Sequence, residues 1–282
     1  MMREMHWKIG DTIVDLSQRG IIMGVLNLTP DSFSDGGEFF SIEKAVARGL
    51  QIAAEGAQIL DIGGESTRPG AEPVTTEEEL GRVIPIIEKL RDKIDIFISV
   101  DTSKSDVAEA ALDAGATIVN DVTGGRGDVR MMQLVVKKNA AFIIMHMQGN
   151  PRTMQVAPRY DDVVAEVADF FRQQYERALE CGIDPMAMAF DPGIGFGKTL
   201  AHNLELLANL ERLRVENQPI AIGVSRKAFL GKLTKTADAR DRVAPTVALT
   251  SLLRSRGANI FRVHDVLENV AALKITEVVL EH

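Results

Sequence analysis

Ile96-Phe97-Ile98-Ser99-Val100-Asp101 is a short, largely apolar run that stops at a carboxylate. A parallel strand covered on both faces reads as such a run, not as an apolar–polar alternation. Seven other stretches have the same form: 21–26, 57–60, 117–119, 141–145, 187–190, 220–224 and 259–261. At or just beyond their ends stand Asn27, Asp61, Asn120 with Asp121, His146, Asp191, Ser225 with Lys227, and Arg262 with His264. Helical patterns fill the intervals, so strand and helix alternate eight times, which predicts an α/β fold of the (β/α)8 TIM-barrel type. In such a barrel the chemistry gathers where the strands end. An open doubly wound sheet would carry a glycine-rich dinucleotide turn after its first strand, and none is present.

The chain has 282 residues, 45% hydrophobic and 26% charged, which fits one barrel domain over residues 21–282. Residues 5–19 read as two short strands around Gly10-Asp11, so 1–20 is expected to form a hairpin that closes the bottom of the barrel. Helices are expected at 42–55 with Ser41 as N-cap, from Thr76 with a capping box to Glu79, and at 105–114, 129–138, 162–180, 203–213, 243–255 and 266–279. The connections 27–40 and 63–73 are rich in Gly, Pro, Ser, Thr and Asp and are long for strand-to-helix loops, as lids or binding loops are.

A net charge of −8 argues against a nucleic-acid surface. Neither a signal sequence at residues 1–8 nor a stretch near the roughly 18 residues of a membrane span is evident. Cys181 is the only cysteine, so no internal disulfide is possible; a buried structural thiol in a reducing cytoplasm is the expectation. No HxH, HExxH or CxxC spacing marks a transition-metal site.

The strand-end residues sort by chemistry. Carboxylates in a barrel mouth are costly unless paired with donors. Asp101, Asn120, Asp191 and Lys227 form a mixed acceptor–donor set suited to the edge of a nitrogen heterocycle, or alternatively a lysine–aspartate salt bridge. Arg68, Arg262 and His264 form a cationic set suited to an anionic group; the alternative is an arginine paired with a neighbour such as Asp265. Asn27 is a neutral oxygen suited to Mg²⁺ brought in by a diphosphate. His146 reads as a hydrogen-bonded core histidine. The segment 192–199 resembles a phosphate-binding loop, but Pro192 stands where that motif needs Gly. It reads instead as a tight glycine loop with Phe196 available to cover a ligand.

Taken together the segments resemble dihydropteroate synthase. The resemblance covers nearly the whole chain from Ile21. It rests on Gly24-Val-Leu-Asn-Leu-Thr-Pro-Asp-Ser-Phe-Ser-Asp-Gly-Gly37, Asp61-Ile-Gly-Gly-Glu-Ser-Thr-Arg-Pro-Gly70, Ser99-Val-Asp-Thr102, Asn120-Asp121, Met145-His-Met-Gln-Gly149, Phe190-Asp-Pro-Gly-Ile-Gly-Phe-Gly-Lys198, Gly223-Val-Ser-Arg-Lys227 and Arg262-Val-His-Asp265. It implies a pterin-binding barrel of folate biosynthesis. Such an enzyme condenses 6-hydroxymethyl-7,8-dihydropterin diphosphate with 4-aminobenzoate, requires Mg²⁺, and is a sulfonamide target. By motif, Asp101, Asn120, Asp191 and Lys227 hold the pterin, with Met145 beside it. Thr67, Arg68, Arg262 and His264 face the diphosphate, and Asn27 meets the metal. Ser225, Phe196, Pro69 and Phe33 line the aminobenzoate pocket, and Asp101, Lys227 and Arg262 carry the catalysis. The resemblance also implies a cytoplasmic homodimer.

Two departures occur, Ala228 after the Ser-Arg-Lys triplet and Arg242-Val-Ala-Pro-Thr246 at a helix start; Pro245 in a first turn is tolerable. The rival reading, a pterin- or folate-binding methyltransferase domain, would not need the cationic set or Ser225 with Lys227.

Overall fold

A computed structural model describes residues 4–28, 38–67, 70–150 and 152–282, with the side chains of 38–41 left aside. Phe33, Arg68 and Pro69 therefore lie outside the described residues, as do the side chains of Phe39 and Phe40.

The chain opens with a hairpin, β1 (His6–Ile9) antiparallel to β2 (Thr12–Asp15). Eight parallel strands follow: β3 (Ile21–Asn27), β4 (Ile59–Gly63), β5 (Phe97–Asp101), β6 (Ile118–Asp121), β7 (Ala141–Met145), β8 (Met188–Asp191), β9 (Ala221–Ile222) and β10 (Ile260–Val263). Their order is β8-β7-β6-β5-β4-β3-β10-β9, and a parallel bridge from Phe190 to Ile220 joins the two ends, closing the barrel. Helices α1 (Glu38–Ala54), α2 (Thr76–Leu90), α3 (Ser105–Ala114), α4 (Met131–Lys137), α5 (Val163–Cys181), α6 (Leu200–Ala208), α7 (Ala228–Thr234), α8 (Val243–Ser255) and α9 (Val266–Leu280) form the outer ring.

Most sequence expectations hold to within a residue or two, and the exceptions have physical reasons. β4 is shifted to 59–63, so Asp61 lies inside a strand and not past its end. β9 shrinks to two residues: it pairs with β10 at only two positions and meets β8 at a single bridge. α1 begins at Glu38, which puts Ser41 within the helix. The capping box of α2 is Thr75 with Glu78, which leaves Glu79 buried to pair with Lys104. The helix expected at 203–213 starts earlier, capped by Thr199, and ends in a separate 3-10 turn, Leu210–Leu213. α7 was not anticipated. Cys181, the last residue of α5, is exposed and not buried. Pro245 is the third residue of α8, where its missing N–H costs nothing.

The expected N-terminal hairpin is present, and it packs against the N-terminal end of the barrel. Met5, Trp7, Ile9 and Leu16 pack with the first inward residues of the strands, among them Ile21, Ile59, Ile118, Ala141, Ala189, Ala221 and Ile260. Trp7 is fully buried and donates its indole N–H to the Ala187 carbonyl at 3.3 Å. Trp7→Ala is expected to cost about 3–5 kcal/mol of stability. Thermal unfolding of the variant beside the wild type checks this; an unchanged unfolding temperature contradicts it.

Candidate active site

Inward and outward side chains alternate along each strand. On β4, Leu60 and Ile62 pack outward under the helices, whereas Ile59, Asp61 and Gly63 face the barrel axis. Register sets the inward polar groups in tiers above the apolar plug. Asp61 lies beside Ser99, Asp101 beside Asn120 and Gly63, Met145 beside Asp191, and Asn27 beside Gly63. Asp121, one residue beyond Asn120, has the other parity. Its carboxylate is used up by Thr123 and by the Gly125 N–H, so it organises the loop after β6.

Arg262 of β10 crosses the mouth. Its Nε donates to Asp61 Oδ2 at 2.6 Å and its Nη2 to Asp101 Oδ2 at 2.7 Å. Asn120 Nδ2 reaches the same Asp61 oxygen at 3.4 Å. The Arg262 bonds link the cationic set of the sequence reading to the heterocycle set. Asp265, offered above as a neighbour for an arginine, is taken by Arg226. Burial pushes Asp101 above the ordinary carboxylate range, with Asp61, Glu79 and Asp121 pushing the same way and Arg262 opposing. Asp191 is likewise raised by burial, while Lys227 and the Gly193 N–H, 2.7 Å from its Oδ1, hold it down.

Lys227 donates to the Ile194 carbonyl, and its Nζ lies 4.5 Å from the centroid of the Phe196 ring, a cation–π contact. Burial lowers it to about 8, with Arg262 adding to that and Asp191 resisting. Met145 is buried with Val122, Met147 and Met154, and Phe196 packs against this group. Ser225 accepts from the His264 backbone N–H at 3.1 Å and lies 3.0 Å from His264 Nδ1, which fixes the end of β9 to the end of β10. Thr67 is half-buried at the described edge of the second loop. That loop is held at its root by Lys104, 2.5 Å from Glu65, and by Arg82, which donates to the Gly64 carbonyl at 2.8 Å. Asn27 is half-buried; Asn27 Oδ1 and Asp101 Oδ2 lie 3.7 and 3.6 Å from where a Cβ of Gly63 would stand, so the missing side chain opens space between them.

Among the described residues no three His, Cys, Asp or Glu side chains converge as a metal cage, and no helix is long and apolar enough to cross a membrane. His146 is a buried histidine, 2.9 Å from Lys198 Nζ, as its sequence reading expected. Asp61 and Lys198 had no assigned role. An acidic residue two positions after inward Ile59 in an apolar run was the available signal for Asp61; Lys198 was set aside with its glycine loop.

A closed barrel with a buried, mixed donor–acceptor floor and cations at its mouth describes an enzyme that binds a flat, anion-bearing heterocycle. Residues 23–264 match the pterin binding enzyme family, and the chain belongs to that family. Among the relatives are dihydropteroate synthases. The Synechocystis sp. enzyme is 44% identical over 269 residues, 95% of this chain and 93% of its own. The Xanthomonas albilineans dihydropteroate synthase solved with 4-aminobenzoic acid has a TM-score of 0.92 at 45% identity, covering 99% of this chain and 100% of that one. The same organism's enzyme in complex with 7,8-dihydropteroate has a TM-score of 0.88 at 42% identity, covering 98% and 99%.

Proposed function

We infer that this barrel is a dihydropteroate synthase, a transferase of folate biosynthesis that joins 6-hydroxymethyl-7,8-dihydropterin diphosphate to 4-aminobenzoate and releases diphosphate. The observation that carries the reading is the ring of Asp101, Asn120, Asp191 and Lys227 around one mouth, a donor–acceptor set matched to a pterin edge.

In the reaction the bond between the pterin methylene and the diphosphate oxygen breaks, and its electron pair leaves with diphosphate. The amine nitrogen of aminobenzoate then forms the new C–N bond and loses a proton. Asp101 favours the positive charge left on the pterin, and Asn120 and Asp191 hold the ring. Arg262, His264, Thr67 and Arg68 favour the departing anion, which is electrostatic positioning and needs no nucleophilic side chain. Arg262 bonds Asp61 and Asp101, so its charge stands at the pterin floor, where β10 meets β4 and β5. Phe196 and Ser225 line the aminobenzoate side.

The donor chemistry of the mouth fits Mg²⁺ that arrives with the diphosphate: one neutral oxygen, on Asn27, at the edge of a space opened by Gly63. When bound there, Mg²⁺ would neutralise charge on the leaving group. The test is to combine purified protein, pterin diphosphate, aminobenzoate and Mg²⁺ and follow dihydropteroate. Product is expected, with turnover lost in a chelator and restored by Mg²⁺. No product with all components present overturns the reading, and full turnover in chelator overturns the metal requirement.

We further infer a cytoplasmic homodimer. Ile275, Val278 and Val279 of α9 are 69, 56 and 68% exposed, an apolar stripe that supports a second copy as its cover. An exposed free thiol at Cys181 supports a reducing compartment.

A further inference from the structure

The glycine loop 192–198, which fails as a phosphate loop, is built around the buried amine of Lys198. Gly193, Gly195 and Gly197 all take left-handed φ, at +63, +86 and +63°. A Cβ on Gly193 would stand 2.0 Å from the His146 carbonyl oxygen, and one on Gly197 2.5 Å from that of Gln148. Only glycine lets the loop lie this close against residues 146–148.

In that conformation the loop's carbonyls meet donors from several directions. Lys198, 3% exposed, reaches the carbonyls of Gly193 at 3.1 Å and Phe196 at 3.0 Å, along with the carbonyl of His146 at 3.4 Å and its Nδ1 at 2.9 Å. Tyr160 donates to Gly197 at 2.9 Å and Gln155 to Gly195 at 2.5 Å. The carbonyl of Ile194 accepts from Lys227. Burial drives His146 down to about 2, with Lys198 adding to the effect, so a neutral ring offers Nδ1 as acceptor.

Burial, with Lys227 adding to it, brings Lys198 down to about 7. A buried amine with no carboxylate bonded to it among the described residues is costly, and an apolar side chain fills such a place at less cost when packing alone is at stake. The product of this arrangement is the placement of two groups, the Phe196 ring and the Ile194 carbonyl, and both hold Lys227. We propose that Lys198 is a positioning residue that fixes the glycine loop, and through Phe196 and Ile194 sets the aminobenzoate side of the site and the seat of Lys227. The proposal rests on the synthase reading for its choice of substrate. Asp101, Asn120 and Asp191 stand on β5, β6 and β8, so three of the four pterin-floor residues keep their strand seats when the loop loosens, and only Asp191 loses a loop contact, the Gly193 N–H.

The experiment compares wild type with Lys198→Met and Lys198→Gln. Three quantities are measured: KM for each substrate, hydrogen–deuterium exchange of peptides spanning 192–198, and thermal unfolding. In Lys198→Met the KM for aminobenzoate is expected to rise about tenfold, a differential of about 1.4 kcal/mol, with that for pterin diphosphate changing less than about threefold. Exchange in 192–198 is expected to accelerate while the barrel strands keep their protection. Lys198→Gln, which retains donors, should show the same split to a smaller extent, and it supplies the comparison if the methionine variant does not fold. Equal losses for both substrates with a lowered unfolding temperature, or unchanged exchange in the loop, overturn the proposal. If wild type makes no dihydropteroate the synthase reading fails, while the exchange comparison still decides whether Lys198 holds the loop.

Discussion

Arg262→Met is expected to lower stability by about 3–5 kcal/mol and turnover by about 100-fold or more. The guanidinium lies 2.6 Å from Asp61 and 2.7 Å from Asp101, and Asp61 has no exposed surface. One Asp61 oxygen, Oδ1, already has no hydrogen-bond partner among the described residues. Methionine has similar length and packs well, so the loss would come from charge: two carboxylates left in a low-dielectric interior without a counter-ion. Asp101, already raised by burial, then loses Arg262, the charge that opposed the rise, and moves further above its unfolded value near 3.9. An acid whose folded pKa is raised is indifferent at low pH and destabilises the fold progressively as pH climbs from the unfolded value to the raised one. The variant should therefore lie close to wild type near pH 4 and fall well below it at pH 8. Denaturant unfolding at several pH values reads this directly, and a pH-independent deficit contradicts it. The double variant Asp61→Asn with Arg262→Met should recover part of the stability but none of the turnover, since the two residues are coupled and the leaving group still lacks its cation.

The parity of the strands made much of this site legible. Asp101, Asn120, Asp191 and Arg262 close short apolar runs, and in a closed barrel the end of a run and the inward face together specify the mouth. The Arg262 pairing was not legible. Its partners stand 201 and 161 residues away in sequence, and register alone brings β10, β4 and β5 to a common tier. The shift of β4 hid Asp61 for a related reason: a carboxylate in an apolar run looks like a terminator unless an arginine across the barrel is known to meet it. Cys181 failed on helix geometry, since the last turn of α5 turns it outward. Lys198 was overlooked because a lysine after glycines suggests phosphate, whereas here its acceptors are the loop's own carbonyls.

Lys227→Met is expected to reverse the usual association of lost activity with lost stability. Turnover should fall about 100-fold or more, because the cation that faces Asp191 and the pterin edge is gone. The unfolding temperature at pH 7 should nevertheless rise by about 2–5 °C. Lys227 is brought down from an ordinary value of 10.5 to about 8 by burial and Arg262, in spite of Asp191. The folded protein thus disfavours the charged form more than the unfolded chain does. That penalty is in full force below pH 8 and is relieved as pH climbs towards 10.5, where the unfolded lysine also loses its proton. Methionine keeps an apolar stem of similar length and removes the charge, so the gain should be largest at pH 7 and shrink by pH 9–10. The donor to the Ile194 carbonyl is lost as well, which offsets part of the gain at every pH and leaves the trend intact. Calorimetry on both proteins from pH 6.5 to 10 decides the matter: a variant that is less stable at pH 7, with a deficit that does not change with pH, would show that the charge of Lys227 stabilises the fold it serves.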